Sequence, residues 1–441
     1  MNATAELADR LAQALVAGEL TQQDVLERAE RALGRSYRWL TGLAERIDNT
    51  FAGRTRPTSR QLARHLLEDA GFLLASSRCK LRIAASHAEL PTMAPARFAR
   101  EWQVPPLTTE QELAAWLGLS PRQLVALADP GGHSARASQE PHRHYRYRLL
   151  TKPGGAIRLI EAPKERLKQT QKKILHGLLE QVPLHDAAHG FRRGGSSQTF
   201  ALPHVRQQVV IRVDLADFFP SISSSRVGGI FRAMGYPQRV SQLLTGLVTN
   251  TASADLFPRY PQRQAEREAQ IARYCRPHLP QGAPTSPYLA NLAAFRLDQR
   301  LAGLARSCDG VYSRYADDLA FSGGQRLDRG AQTFSTHVAA IAMEEGFVVN
   351  FRKTRLMRRS TRQHLAGLVV NDRLNIRRDD YDQLKAILYN ASRLGLASQN
   401  HHAHPEWRAH LQGRVASVRS LTRARGDKLQ HLLDRALAID S

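Results

Sequence analysis

The chain has 441 residues, of which 63 are Lys or Arg and 40 are Asp or Glu, so its formal net charge is +23 at neutral pH. Hydrophobic residues make up 42% of it, a globular composition that excludes a chain disordered throughout. A basic excess of this size favours a polyanionic partner, and the length suggests roughly two to four folded units.

The sequence contains no stretch that approaches the roughly 18 uninterrupted apolar residues of a membrane-spanning helix. Its opening segment, MNATAELADRLAQAL, is polar and acidic, whereas a secretory signal is basic and then apolar. The three cysteines, Cys79, Cys275 and Cys308, lie far apart without a CxxC pair, which argues against a disulfide framework and a structural zinc site. We therefore expect a cytoplasmic protein without a membrane partner.

Residues 1–98 are predicted to form an all-helical N-terminal region. Apolar residues such as Leu7, Leu11 and Leu15 recur every three or four positions, which is the period of an amphipathic helix. No motif in this region indicates a function.

Residues 99–143 are predicted to form a helical hairpin followed by a linker. Within them, segment 112–129 has the pattern of two helices joined by a turn at Gly118, with Ser120 as the N-cap of the second helix. The pattern is also that of a DNA-binding helix-turn-helix. We favour a hairpin that packs against the next domain, because the turn alone does not place a helix in a DNA groove.

Residues 144–375 combine strands and helices in an order typical of an α+β fold instead of repeating βαβ units. A basic hairpin (HYRYRLLTK, a Gly turn, AIRLIEAP) precedes a helix over residues 164–180 and the apolar strand VVIRVDL. The charged, Gln-rich segment 252–276 is predicted to be an insertion loop or a solvated helix. Residues 376–441 are again helical in pattern.

Three carboxylates indicate the chemistry. Asp214 ends the apolar strand, and Asp317 with Asp318 lies in SRYADDLAF between β-forming residues, so two paired strands would bring all three together. Clustered carboxylates repel one another unless cations lie between them, and Mg²⁺ is the hard cation that such a site takes along with substrate phosphates. Two Mg²⁺ ions would support in-line phosphoryl transfer, as in a nucleotide polymerase.

A Tyr-x-Asp-Asp match alone is weak evidence for a polymerase, but further motifs accompany it in this sequence. The segments VDLADFFPSI, LPQGAPTSPYLAN, YADD, GFVVNFRKT and HLAGL resemble, in order and spacing, the motifs of a reverse transcriptase over roughly residues 145–375. The resemblance implies an α+β right-hand polymerase with fingers and palm in residues 144–375 and a short helical thumb in residues 376–441. The all-helical region would precede it.

The resemblance also implies a metal site. Asp214 and Asp317 would ligate two Mg²⁺ ions, with Mn²⁺ as a possible substitute, and the Leu215 carbonyl would complete one shell. Asp318 would be the second acid of the turn, and each of the three acids should be intolerant of replacement.

Nucleotide-binding roles follow from the same motifs. Lys152 and Arg158 of the hairpin would hold the triphosphate, and Arg192 would lie beside phosphate or template. Gln281 and Gly282 would line the incoming dNTP, and Phe219 would exclude ribonucleotides. Lys353 would lie near the pyrophosphate as a possible general acid. Alternatives remain open for three of them: Phe219 as a core residue, and Arg192 and Lys353 as solvated basic side chains.

The segment between Arg352 and Arg378 has nine Lys or Arg and a single acid, Asp372. Such a surface would track RNA phosphates, with an affinity that falls steeply with salt; a generic solvated basic face is the alternative. The predicted RNA-binding residues are Arg355, Arg358, Arg359, Arg377 and Arg378.

Within the family, AAHGFRRGGSSQTFALPHV, SRYADDLAFSG and GLVVND are similar to bacterial retron reverse transcriptases. The resemblance implies a structured non-coding RNA as template and primer, dNTP substrates, an RNA–DNA product, a role in defence against phage, and a possible effector protein.

Two departures from the retron pattern keep alternatives open. Retron enzymes usually show Asn-Ala-x-x-His where this chain has Phe200-Ala201-Leu202-Pro203-His204, and Val-Thr-Gly where it has Leu365-Ala366-Gly367. These favour a second interpretation, another defence-associated reverse transcriptase with untemplated or protein-primed synthesis. A third, from a different class, is an RNA-binding scaffold or antitoxin. A group II intron maturase is disfavoured, since no DNA-binding or nuclease tail is visible.

Overall fold

The fold is described from a computed structural model, which describes residues 3–16, 18–51, 57–79, 81–83, 92–137, 140–151, 157–257 and 265–439. The helices, in chain order, are α1 (Ala3–Leu15), α2 (Gln22–Leu33), α3 (Arg38–Phe51), α4 (Ser59–Glu68), α5 (Ala70–Arg78), α6 (Glu110–Leu117), α7 (Pro121–Ala128), α8 (His133–Arg136), α9 (Glu165–Gly177), α10 (Ser197–Ala201), α11 (Phe218–Ser221), α12 (Ser224–Ala233), α13 (Gln238–Val248), α14 (Ala265–Tyr274), α15 (Ser286–Ala293), α16 (Phe295–Ser307), α17 (Gln325–Arg329), α18 (Ala331–Glu344), α19 (Arg378–Leu394), α20 (Trp407–Leu421) and α21 (Arg423–Ile439). The strands are β1 (Tyr145–Thr151), β2 (Ile157–Pro163), β3 (Val209–Ala216), β4 (Val311–Tyr315), β5 (Asp318–Gly323), β6 (Val348–Val349), β7 (Arg355–Arg358), β8 (His364–Leu365), β9 (Leu368–Val369) and β10 (Asn375–Ile376). The fold class is α+β, as the sequence predicts.

The chain divides into two compact units. One comprises Met1–Leu184 and Asp217–Ala293, and the other comprises His185–Ala216 and Ala294–Ser441. We call them the first unit and the second unit. The predicted four-part domain division, at residues 98, 143 and 375, stays a prediction.

The N-terminal part of the first unit is helical from α1 to α5, as its apolar spacing predicts. The apolar faces of these helices share one core, in which Leu11, Leu15, Leu40 and Leu62 are fully buried. None of the helices in the described part of the chain is long and apolar enough to cross a membrane.

The predicted helical hairpin is present as α6 and α7. Gly118 ends α6 in the left-handed conformation, at φ 73°, and Ser120 caps α7 by accepting a hydrogen bond from the Gln123 backbone N–H. Both helices pack against α13, which favours the interpretation of a hairpin that packs on its neighbour.

Strands β1 and β2 form the predicted basic hairpin, in antiparallel register from Tyr145 opposite Pro163 to Thr151 opposite Ile157. Its turn, residues 152–156, lies outside the described residues. Segment 252–276 contains α14, which agrees with the second of its two predicted alternatives, a loop or a solvated helix, but the helix is not fully solvated. Gln270 is buried because its side-chain amide accepts a hydrogen bond from the Ile157 N–H and donates to the Ile157 C=O, as a neighbouring strand would.

The second unit is built on an antiparallel sheet in the order β4-β5-β3-β6, with β7 also paired to β3. Strand β3 is buried almost throughout, which explains its uninterrupted apolar sequence. Helices α16 and α18 pack on this sheet. Farther along the chain, α19, α20 and α21 share an apolar core that includes Leu384, Leu388, Leu411 and Leu429.

Candidate active site

The three acids lie in the second unit, on the adjacent strand β3 and β4–β5 hairpin. Asp214 lies directly opposite Asp318 in the antiparallel register of β3 and β5. Asp317 occupies the turn between β4 and β5, and its carbonyl accepts a hydrogen bond of 2.9 Å from the Leu215 N–H. The structure thus pairs the two segments as the sequence predicts.

The electrostatics of this turn are those of a crowded anionic site. Burial raises the pKa of Asp317, and the neighbouring carboxylates Asp214 and Asp318 raise it further. Asp214 itself is only 5% exposed. A cation between these carboxylates would remove the repulsion.

Within the described residues, no three Asp, Glu, His or Cys side chains converge on one point that could hold a metal ion. The predicted side-chain ligands, Asp214 and Asp317, would contribute two carboxylates. That number suits Mg²⁺, which takes one or two protein carboxylates and completes its shell with substrate phosphates and water.

Two basic side chains distinguish the acids from one another. Arg212 donates to both oxygens of Asp318, from Nη2 at 2.7 and 3.0 Å and from Nε at 2.9 Å. Lys353 Nζ donates to both oxygens of Asp214, at 3.0 and 3.2 Å. Lys353 was predicted from its motif, whereas Arg212 was not, because it lies within the apolar run of β3.

A buried ion pair contacts the turn between β4 and β5. Arg314 and Asp298 are both fully buried, with Arg314 Nε and Nη2 donating to the two carboxylate oxygens at 2.7 and 2.6 Å. Arg314 Nη1 also donates to the carbonyl of Ala316, at 3.2 Å. Ala316 is the turn residue with φ of 57°, so Arg314 fixes a conformation that a residue with a side chain seldom adopts.

His204 ties both strands of the same hairpin together. Its Nδ1 lies 2.6 Å from the Ser322 hydroxyl of β5, and its Nε2 lies 2.7 Å from the Ser313 hydroxyl of β4. Burial lowers the pKa of His204 to about 3, so the ring is neutral at physiological pH. From sequence, His204 was distinguished only by its place in a departure from the retron pattern.

The glycine-rich segment HGFRRGGSS borders the hairpin. The His189 N–H donates to the Arg314 carbonyl at 2.8 Å, and a Cβ added to Gly190 would lie 2.8 Å from the Ala316 nitrogen. Only glycine allows this approach. Arg192, two residues farther along the chain, is half-buried, and its Nη1 donates to the Ala188 carbonyl at 3.4 Å.

The other predicted nucleotide-binding residues lie in the first unit. Arg158 is exposed on β2, Phe219 is half-buried in α11 beside the buried Phe218, and Gly282 adopts a φ of 128° next to Gln281. Lys152 lies outside the described residues. Their roles stay predictions.

The predicted RNA-binding arginines are all exposed, but their charges are balanced to different degrees. Arg377 holds Asp380 through two hydrogen bonds of 2.6 and 2.7 Å, whereas Arg355 donates to backbone carbonyls of Arg352 and Thr354 at 2.8 Å. The remaining three have carboxylate neighbours at 2.8 to 3.7 Å: Arg358 with Asp328, Arg359 with Asp372, and Arg378 with Asp382.

Comparison with known proteins identifies relatives of this chain. Residues 150–386 match the family described as reverse transcriptase (RNA-dependent DNA polymerase). The chain is 38% identical over 343 residues to the retron Mx65 reverse transcriptase of Myxococcus xanthus, a match covering 76% of this chain and 73% of the relative. It is 37% identical to the Mx162 retron enzyme of the same organism (64% of this chain, 59% of the relative), and 31% identical to the Ec86 retron enzyme of Escherichia coli (56% and 70%).

Proposed function

The chain belongs to the reverse transcriptases of bacterial retrons, and on that premise we propose that it copies part of a structured non-coding RNA into a small DNA that stays joined to that RNA. It is an RNA-directed DNA polymerase, and its family uses divalent metal ions. One observation carries the chemistry: Asp214 lies opposite Asp318 in register, with Asp317 in the adjoining turn.

The metals proposed here are two Mg²⁺ ions, for which Mn²⁺ can substitute. When bound, they activate the attacking primer hydroxyl and stabilise the leaving pyrophosphate. Asp214 and Asp317 would hold them, with the Leu215 carbonyl as a further ligand and Asp318 as the second acid of the turn. Lys353 lies at Asp214 on a flexible, half-exposed side chain, from which its Nζ can deliver a proton to the departing pyrophosphate.

The incoming dNTP would be held by the residues that the family motifs indicate. Arg158 and Lys152 would bind the triphosphate, Gln281 and Gly282 would line the base and sugar, and Phe219 would exclude a ribose 2′-hydroxyl. Arg192 would contact phosphate or template.

The basic residues Arg355, Arg358, Arg359, Arg377 and Arg378 would bind the RNA backbone. The +23 charge supports a nucleic-acid partner of this kind. We place the enzyme in the cytoplasm and in defence against phage, with an effector protein as a possible further partner.

The test is to purify the protein from its native locus, extract the bound nucleic acid, and size it after separate RNase and DNase treatment. The expected product is a discrete DNA covalently joined to RNA. It should be absent from an Asp317→Asn variant and present in Asp309→Asn, a matched change of an acid whose side chain is 77% exposed in the same unit. RNA without DNA would overturn the proposal in favour of a scaffold or antitoxin, and DNA joined to protein would overturn it in favour of protein priming.

A further inference from the structure

A buried polar network lies at the base of the β1–β2 hairpin, outside every motif with an assigned role. Glu161 of β2 is fully buried and His278 is 1% exposed. One Glu161 oxygen accepts a hydrogen bond from Asn250 Nδ2 at 2.8 Å, and the other lies 2.9 Å from His278 Nε2. These residues all belong to the first unit.

The network contacts the segment HLPQG, residues 278–282, at two points that are three residues apart. The side chain of Glu161 holds His278 at the start of that segment, while the backbone N–H of Glu161 donates to the Gln281 carbonyl at 2.8 Å. A Cβ added to Gly282 would lie 3.0 Å from the Glu161 carbonyl, so the turn also packs tightly on β2. Both ends of the segment therefore contact Glu161.

A second set of contacts prevents the segment from sliding. Asn250 and His278 exchange backbone hydrogen bonds of 2.9 Å in both directions, and Asn250 Nδ2 also donates to the Tyr147 hydroxyl at 3.0 Å. Tyr147 of β1 lies opposite Glu161 in the hairpin register. Hydrogen bonds have defined lengths and directions, whereas apolar contacts allow displacement. The network therefore fixes the position of the HLPQG segment on the β1–β2 hairpin.

We propose that Glu161 is a positioning residue that joins the β1–β2 hairpin to the Gln281–Gly282 turn and thereby sets the geometry of the dNTP site. The inference rests on the proposed nucleotide-binding roles of Arg158, Gln281 and Gly282. Arg158 lies on the exposed face of the same strand, so displacing β2 relative to the turn would separate two groups that bind one nucleotide.

The hydrogen-bond chemistry supplies a conservative variant. His278 Nδ1 lies 2.8 Å from the Arg276 carbonyl, which can only accept, so Nδ1 carries a hydrogen. In Glu161→Gln, a neutral His278 can accept at Nε2 from the new amide N–H, while the amide oxygen still accepts from Asn250. Glu161→Met has a similar size but offers neither group a partner.

The experiment measures dTTP kinetics on poly(rA) primed with oligo(dT), together with thermal unfolding of each variant. We expect Glu161→Met to raise the KM for dTTP about tenfold with kcat within about threefold, because misplacing a binding group weakens nucleotide capture. Glu161→Gln should stay within about threefold of the wild-type KM. If Glu161→Met does not fold, Asn250→Ala, which removes one of the two donors, should raise KM in the same direction.

Asp69→Leu is the matched control for stability. Asp69 is 8% exposed and paired with Arg46 in the N-terminal helices, so its loss should lower the melting temperature and leave the KM for dTTP unchanged. A wild-type KM in Glu161→Met, or equal KM increases in Glu161→Gln and Glu161→Met, would overturn the inference. The homopolymer template needs no retron RNA, so failure to find RNA-linked DNA in cells would count against the proposed function alone.

Discussion

Arg212 and Asp318 form a bidentate ion pair across strands β3 and β5, with N–O distances of 2.7 to 3.0 Å. The pair makes the three acids of the site unequal. Asp318 is neutralised by a planar guanidinium, which matches a carboxylate and is always charged. Asp214 has a flexible lysine partner that can yield to a metal ion, and Asp317 is crowded by both other acids.

These different surroundings predict that Asp-to-Asn substitutions of the three acids lower kcat by different amounts. Asp214→Asn and Asp317→Asn should lower kcat about a thousandfold or more, since each removes a proposed ligand of both metals. Asp318→Asn should cost less, about ten- to a hundredfold, because its carboxylate is already held by Arg212. Single-nucleotide extension on a homopolymer template measures all three.

Metal titration provides the second readout for this order. Binding of Mn²⁺, followed by electron paramagnetic resonance, should weaken strongly in Asp317→Asn and little in Asp318→Asn. Equal losses of binding in the two variants would contradict the distinction.

The pairing of the acids could be predicted from sequence, but the Arg212 contact could not. VVIRVD and YADD each identify a strand or a turn locally, and family motif order brings them together. The partner of Arg212 depends on the register between β3 and β5, which joins residues 106 positions apart. Arg212 therefore could not be distinguished, from sequence, from the apolar strand residues on either side of it. Glu161 and His278, 117 positions apart, were missed for the same reason.

A second prediction concerns the buried pair Arg314–Asp298, which contacts the turn between β4 and β5 through the Ala316 carbonyl. Removing one partner leaves an uncompensated buried charge, so Arg314→Met should destabilise the protein by about 3–5 kcal/mol. The free energy of unfolding from urea denaturation measures this.

The double variant separates stability from activity. Replacing both partners with apolar residues, as in Arg314→Met with Asp298→Leu, should recover part of the lost stability, because no unpaired charge remains while the Tyr312 hydroxyl loses its acceptor on Asp298. Activity should stay low, since the Ala316 carbonyl has still lost its donor from Arg314. Recovery of full activity in the double variant would show that Arg314 contributes stability alone.

Polar residues at buried positions also explain why α14 was only partly predicted. A sequence pattern identifies a buried helix face by its apolar residues, and Gln270 is polar. Its amide is satisfied by Ile157, a contact across 113 positions that no local pattern contains. The charged, Gln-rich composition of the segment left both a loop and a solvated helix open.

A third prediction uses the different pairing of Arg355 and Arg377. Each cation that neutralises an RNA phosphate contributes about 0.7 to the slope of log affinity against log salt. Arg355→Ala should reduce the slope by about that amount, since its guanidinium donates to backbone carbonyls and keeps a net charge. Arg377→Ala should have a smaller effect, because Asp380 already balances its charge. Filter binding of a single-stranded RNA at several salt concentrations measures both.

The control for this series is Arg10→Ala, an exposed arginine on α1 outside the predicted RNA-binding surface. It should leave the slope unchanged. Equal slopes for the wild type and Arg355→Ala would remove Arg355 from the RNA-binding surface.

The last prediction concerns acid and His204. Burial lowers the pKa of His204 to about 3, far below the value of about 6.5 in an unfolded chain. Between these two values the unfolded state binds a proton that the folded state excludes, so the stability falls as the pH drops below about 6.5 and rises as the pH increases. At pH 5 this single group should cost about 2 kcal/mol relative to neutral pH.

His204→Gln tests the assignment, because glutamine does not titrate and can still exchange hydrogen bonds with Ser313 and Ser322. The variant is expected to be less stable than the wild type at pH 7, where the imidazole fits its two hydroxyl partners. Between pH 7 and pH 5 it should lose about 2 kcal/mol less stability than the wild type, measured by urea denaturation at each pH. Parallel losses in the two proteins would mean that the acid sensitivity arises at another group and that the His204 ring is not held neutral between the strands of the catalytic hairpin.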